Sequence, residues 1–269
     1  MINHWDHYHR HWSLLEAPLR PTAETVDIFE REVSASNADV LLLGVTSELA
    51  GLGKTMRAVD SSPAMVSGLW KGTTPSRTAV VGSWLDLPLA SRSVDAVVGD
   101  GSLTMLSNSA DRLIMLREMA RVLRPGGSAA IRIFATPDRR EGIAAVRDDV
   151  RAGRIGNFHA FKWRIAMALA GPEPDYTIRV TEIRDTIEEL FPDRLELSAA
   201  TGWRLEEIGT IDVYLNSDTT YSFATAARLI DEARTIFEEV SLVPSGSYPL
   251  AERCPILVMR QMREPGNPG

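Results

Sequence analysis

The sequence predicts an α/β fold: an open, mainly parallel sheet with helices on both faces and a helical cap inserted after the fifth strand. Three observations predict it. Short apolar runs alternate with helical stretches from Asp39 to Thr136, the pattern of βαβ units whose strands are buried on both faces. Each apolar run ends in small or polar residues, as strands do where an open sheet forms a ligand crevice at their carboxyl ends. Beyond Thr136 the strand rhythm stops and helical stretches punctuated by Gly153, Gly156 and Gly171-Pro172 replace it.

In chain order, residues 1–21 form an amino-terminal segment dense in aromatics and histidines and broken from the rest by PLRP. Residues 22–136 form the sheet core. Thr22 to Val33 is an amphipathic helix with Val26 and Phe29 on one side. The strands follow as VLLLG (Val40 to Gly44), RAVD ending at Asp60, TAVVG (Thr78 to Gly82), AVVGD (Ala96 to Asp100) and AAIRIF (Ala129 to Phe134). A helix from about Asp111 to Leu123 aligns Leu113, Leu116, Met119, Ala120 and Leu123, and Pro125-Gly126-Gly127 stops it. Residues 137–205 are the cap, with helices at Arg139 to Val150, Ala160 to Ala170 and Glu182 to Leu190. Residues 206–269 complete the sheet. The strand pattern resumes at Trp203 to Asn216, a helix is expected at about Ser222 to Val240, and the last strand at Ile256 to Gln261.

Composition narrows the class of function. A chain of 269 residues that is 44% hydrophobic can bury one sizeable core. A net charge of -7 argues against nucleic acid as a partner, because that affinity comes largely from Lys and Arg neutralising phosphates. No apolar run approaches the roughly 20 residues of a bilayer span, and the amino terminus lacks the basic-then-apolar pattern of a secretory signal, so a soluble cytoplasmic protein without membrane contact is expected. A single cysteine, Cys254, excludes an internal disulfide and a thiolate zinc cluster.

The chemistry-bearing residues sit at the strand ends. After the first strand the loop reads Gly44-Val45-Thr46-Ser47-Glu48, with one glycine where a phosphate-cradling loop would show three. Asp60 ends the second strand sixteen residues after Gly44, close to the spacing at which a carboxylate accepts both ribose hydroxyls of a bound nucleoside. Either NAD or S-adenosyl-L-methionine would satisfy that carboxylate. GSWLDLP (Gly82 to Pro88) follows the third strand, GDGS (Gly99 to Ser102) the fourth, and RVLRPGG (Arg121 to Gly127) closes the next helix.

In that order the motifs, covering about residues 38 to 136, resemble the class I S-adenosylmethionine-dependent methyltransferases, with a divergent GVTSE-type first loop. The resemblance implies a Rossmann-like sheet whose last strand runs antiparallel, which suits CPILVMRQ (Cys254 to Gln261). It implies S-adenosyl-L-methionine as cofactor, held by Gly44, Val45, Thr46 and Glu48, by Asp60, Ser61 and Met65, by Gly82, Ser83 and Trp84, and by Gly99, Asp100, Gly101 and Ser102. The chain departs from the family at Leu42, where an acid is usual, and at Ser83, where an aspartate often stands; Trp84 would supply an apolar wall for the adenine ring.

The sulfonium carries the reactive methyl, so the protein mainly aligns a nucleophile and excludes water. Asp100 and His159 are the candidate catalytic bases. Trp5, Tyr8, Trp12 and Leu15 at helical spacing suit a lid over the cleft; Trp5, Tyr8 and Trp12, with Phe158, His159, Lys162 and Tyr214, are the candidate substrate contacts, and Tyr221 and Tyr248 join them. His4, His7, His9 and His11 lie close in sequence, but a helix turns His9 away from the others, so no metal is expected. The acceptor is expected to be a small molecule methylated on nitrogen or oxygen. The competing readings are a non-catalytic S-adenosylmethionine-binding or regulatory module, an NAD-dependent dehydrogenase, and, for the aromatic segments, a homodimer surface.

Overall fold

The computed structural model describes residues 4–262. The strands are β1 (Asp39–Leu43), β2 (Thr55–Asp60), β3 (Arg77–Val81), β4 (Val94–Asp100), β5 (Leu123–Arg132), β6 (Thr177–Arg179), β7 (Thr220–Ser222), β8 (Phe237–Val243) and β9 (Ile256–Met262). The helices are α1 (Trp5–Tyr8), α2 (Ala23–Glu32), α3 (Pro63–Leu69), α4 (Ser109–Val122), α5 (Ile143–Arg151), α6 (Phe158–Leu169), α7 (Val180–Leu190), α8 (Arg194–Thr201), α9 (Leu205–Gly209) and α10 (Ala226–Arg234). Seven strands form one sheet in the order β3-β2-β1-β4-β5-β9-β8, while β6 and β7 pair separately.

The order follows from burial. Val40 to Leu43 and Ala96 to Gly99 are buried without alternation, because β1 and β4 lie in the centre of the sheet with both faces covered. Strands β1 to β5 pair in parallel, and the reversal of the sheet comes at β9, which runs antiparallel between β5 and β8. At one edge Val80 and Val81 of β3 are exposed. At the inner end, the buried Arg112 of α4 meets Glu232 of α10 at 2.8 Å, joining two helices that are far apart in sequence.

Two expectations are corrected. Trp203 to Asn216 is not a strand: α9 and a 3-10 turn (Thr210–Tyr214) occupy it. The buried residues Ile208, Ile211 and Tyr214 recur every third position, a helical repeat rather than a strand's alternation. The helix expected to reach Val240 ends at Arg234, and Phe237 to Val243 form β8 instead. Pairing with β9, a partner remote in sequence, decides that segment. The small β6–β7 sheet was not foreseen. Among the described residues, no helix is long and apolar enough to cross a membrane.

Candidate functional site

The carboxyl ends of β1 and β2 open beside the loop after β3. Gly44 leaves β1 with φ +98, a conformation that L side chains rarely adopt. A Cβ there would sit 3.8 Å from both the Asp60 Oδ2 atom and the Trp84 ring, so the glycine keeps open the gap between carboxylate and indole. Asp60 Oδ1 accepts the Ser62 backbone N–H at 2.8 Å, and Ser62 Oγ in turn caps α3 by accepting from Met65 N. The Trp84 indole is fixed by a 2.6 Å hydrogen bond from Nε1 to the Val59 carbonyl. Burial raises the Asp60 carboxyl above the usual range, partly offset by the Ser62 N–H.

These groups border a cavity of about 360 Å³. Of the cofactor residues expected from sequence, Gly44, Val45, Thr46, Asp60, Ser61, Met65, Ser83, Trp84 and Asp100 line it. Gly82, Gly99, Gly101, Ser102 and Glu48 do not. A Cβ on Gly82 would lie 3.2 Å from Val59 and Pro88, and one on Gly99 would lie 2.7 Å from Ser102 Oγ. Gly101 turns at φ +70 against Phe134, and Ser102 is buried. The GDGS run thus shapes the β4 turn and contributes only Asp100 to the wall.

Glu48 instead ties the amino-terminal segment to the first loop. Its Oε1 accepts from Trp12 Nε1 at 3.2 Å and from Arg20 Nε at 2.8 Å, while Ser47 Oγ donates to Oε2. Trp5, Tyr8 and Trp12 line the cavity.

The two candidate bases are placed differently. Asp100 faces the cavity, but Arg132 donates to both its oxygens, from Nε at 2.5 Å and from Nη2 at 2.9 Å. Burial raises the Asp100 carboxyl and the guanidinium opposes that shift. A carboxylate engaged on both oxygens holds the wall in place and is a poor free base. His159 is buried away from the cavity, with Nε2 3.1 Å from the Leu14 carbonyl, and burial pushes its imidazole down to about 3. Phe158, Lys162 and Tyr214 are buried behind the wall as well. A side chain of α6 that reaches the cavity is Trp163, one of the NFHAFKWR run. Tyr221 also lines it, whereas Tyr248 bonds to Arg132 and Ser245.

Phe134, Met105, Leu106 and Thr219 line the cavity without having been foreseen. The first three carried a usable signal, because they directly follow β5 and the β4 turn; Thr219 carried none. His4 is buried in a hydrogen-bonded cluster, with Nε2 2.7 Å from Tyr221 OH and Nδ1 3.1 Å from Thr219 Oγ1. Among the described residues, no group of three or more His, Cys, Asp or Glu side chains is placed to hold a metal ion.

A carboxylate ending the second strand, a glycine turn and an aromatic wall thus meet at the crevice outside the strand ends of an open α/β sheet, the place where such sheets bind ligands. Residues 44–131 match the family model described as a methyltransferase domain. Over 161 residues the chain is 39% identical to the demethylmenaquinone methyltransferase of Mycobacterium sp. (strain KMS), covering 59% of this chain and 62% of that relative. The chain therefore aligns with less than two thirds of that protein's length. Among solved structures, the N-methyltransferase NodS of Bradyrhizobium japonicum WM9 in complex with S-adenosyl-l-homocysteine superposes with TM-score 0.53 at 14% identity, covering 96% of this chain and 98% of that one. A Rhodobacter sphaeroides structure described as a putative Zn-dependent alcohol dehydrogenase gives TM-score 0.57 at 12% identity, covering 98% and 100%. At these identities both are likenesses of fold. Residues 44–131 thus match a methyltransferase domain, and the sheet order is that of the class I S-adenosylmethionine-dependent methyltransferase fold, a family whose cofactor is S-adenosyl-L-methionine.

Proposed function

We propose that this protein transfers the methyl group of S-adenosyl-L-methionine to a small-molecule acceptor, on nitrogen or oxygen. The observation that carries the reading is the Gly44 gap: a Cβ placed there would fill the space between Asp60 Oδ2 and the Trp84 ring. A nucleoside fits those donors and walls. Asp60 would accept the two ribose hydroxyls, Trp84 and Met65 would flank the adenine, and the backbone of Gly44 to Thr46 would meet the methionine portion. When bound, the cofactor supplies an electrophilic methyl group on a sulfonium. The chain's own residues then have three tasks: Asp60 orients the nucleoside, the Asp100–Arg132 pair fixes the β4 wall, and Trp5, Tyr8 and Trp12 cover the cavity and exclude water.

Calorimetric titration with S-adenosyl-L-methionine and its demethylated product tests the cofactor assignment, and formation of S-adenosylhomocysteine across amine, phenol and carboxylate acceptors tests turnover. Binding without turnover on any acceptor favours the non-catalytic module, and binding of NAD in its place favours the dehydrogenase. A second acceptor reading, methylation of carbon on a quinol, is favoured by the relatives at 39% identity that are named demethylmenaquinone methyltransferases.

A further inference from the structure

Lys162 is an anomaly. Its ammonium is fully buried and has no hydrogen-bond partner. No carboxylate lies within ion-pair distance of it among the described residues. The nearest aromatic rings are those of Tyr214, whose centroid is 5.0 Å away, and Trp163, at 5.5 Å. The titratable groups that face it are His4, His159 and Tyr214, none of them an anion at neutral pH: burial holds both imidazoles down to about 3 and raises the Tyr214 phenol well above its ordinary value. Burial likewise pushes the lysine down to about 7. A buried ammonium without a counter-charge is costly, so near neutral pH this lysine is divided between its charged and neutral forms, and an anion bound nearby would favour the charged one.

The cavity lies one ring away. Trp163 and Tyr221 both line it, with ring centroids 5.9 Å apart, and Tyr214 stands 6.2 Å from Tyr221 on the lysine side. The hydrogen bonds around His4 set the Tyr221 hydroxyl. Ser217 Oγ donates to Thr219 Oγ1, and both hydroxyls lie against His4 Nδ1, at 3.4 and 3.1 Å. His4 Nε2 and the Tyr221 hydroxyl lie 2.7 Å apart; with its hydrogen on Nε2, His4 would donate to the Tyr221 oxygen and leave the Tyr221 hydrogen for a molecule in the cavity. At this end, therefore, the Tyr221 hydroxyl and, one ring behind it, the Lys162 amine stand beside a space walled by Trp5, Trp12, Trp163 and Phe134.

We propose that the Tyr221–His4–Lys162 end of the cavity binds the methyl acceptor through an anionic oxygen, so that the acceptor is a planar aromatic molecule bearing an acidic oxygen, a phenol, enol or carboxylic acid. Tyr221 donates to that oxygen; His4 orients Tyr221, and Lys162 acts through the Tyr214 and Trp163 rings as a positioning charge. The acceptor is taken up from solution as its anion. A unit charge at this range, in a medium of effective dielectric about 20, strengthens binding of an anion on the order of tenfold or more. The inference rests on the methyltransferase reading, and its test is arranged to fail separately from it.

Calorimetry first establishes that the protein binds S-adenosylhomocysteine. Three flat probes of equal size are then titrated into that complex: 4-nitrophenol, 4-nitrobenzoate and 4-nitroaniline. At least one acidic probe is expected to bind about tenfold or more tighter than the neutral aniline. Phenol against carboxylate identifies the kind of acidic oxygen. For 4-nitrophenol, the visible band of its anion should grow on binding at a pH where the free probe is mostly neutral. Lys162→Met should abolish both the preference and the band while raising the thermal midpoint, and Tyr221→Phe should weaken the acidic probe alone. Equal affinity for all three, binding of none of them to a protein that does bind the nucleoside, or a preference and band unchanged in Lys162→Met would each overturn the proposal.

Discussion

Arg132 and Asp100, the last residues of adjacent strands β5 and β4, form a bidentate ion pair that is almost wholly buried, with side-chain exposures of 0% and 4%. The same guanidinium donates to the Pro18 carbonyl at 2.7 Å and to Tyr248 OH at 2.9 Å. One side chain thereby joins the β4 turn at the cavity, the amino-terminal segment and the loop before β9.

Breaking this pair from one side leaves a charge buried without compensation. Arg132→Met is expected to lower stability by about 3–5 kcal/mol. Adding Asp100→Leu should recover most of that loss, since an apolar pair needs no counter-charge. Chemical denaturation of the single and double variants measures both effects. A double variant no more stable than Arg132→Met would show that the bonds to Pro18 and Tyr248, and not the ion pair, dominate.

Asp60→Ala is expected to weaken S-adenosyl-L-methionine and S-adenosylhomocysteine alike, by about 1.5–3 kcal/mol, the scale of a hydrogen bond made to a charged group. Titration calorimetry of wild type and variant reads this directly. Unchanged affinities would remove Asp60 from the ribose.

Trp12→Phe keeps a ring in the cavity wall and removes the 3.2 Å bond to Glu48. With the link between lid and first loop weakened, kcat/KM is expected to fall about tenfold, or about 1.4 kcal/mol. The thermal midpoint should move by no more than about 4 °C. Steady-state kinetics and melting together separate this from general destabilisation; unaltered kinetics would mean that the Glu48 contact has no part in closure.

Stability should fall with acidification through the buried histidines. His4 and His159 stay neutral in the folded chain down to about pH 3, whereas in the unfolded chain each gains a proton near its ordinary value of 6.5. Between those limits the unfolded state binds more protons, so folding weakens as pH falls, by roughly 1.4 kcal/mol per pH unit for each histidine. The contribution is fully present above about pH 6.5 and lost progressively below it. His159→Gln, whose amide can still reach the Leu14 carbonyl, should remove one histidine's share of that slope. Denaturation midpoints from pH 7 to pH 4 measure it, and parallel slopes in the two proteins would place the acid sensitivity elsewhere.

Part of the site was legible in sequence because strand ends carry it. Gly44, Asp60 and Trp84 each stand at the end of a parallel strand or just after it, where topology sends side chains to one edge of the sheet. Glu48, Gly99, Gly101 and Ser102 occupy similar strand ends and loops, but their neighbours decided otherwise: Trp12 and Arg20 claim Glu48, and Phe134 and Ile131 crowd the glycines. His159 and Trp163 share one helix, four residues apart. Which of the two faces the cavity depended on how α6 lies, and the Leu14 carbonyl lies against His159.

By itself the sequence determined the parallel core, its crevice and the kind of cofactor that crevice suits, since apolar runs, their spacing and the residues that end them act over a few positions of chain. The tertiary structure alone decided the rest. Phe237 to Val243 became a strand because β9 lay alongside, Asp100 lost its freedom as a base because Arg132 came to face it, and Lys162 was left without a partner 5.0 Å from the Tyr214 ring. Each outcome depends on a contact between residues distant in sequence, whose partners are brought together only when the layers pack.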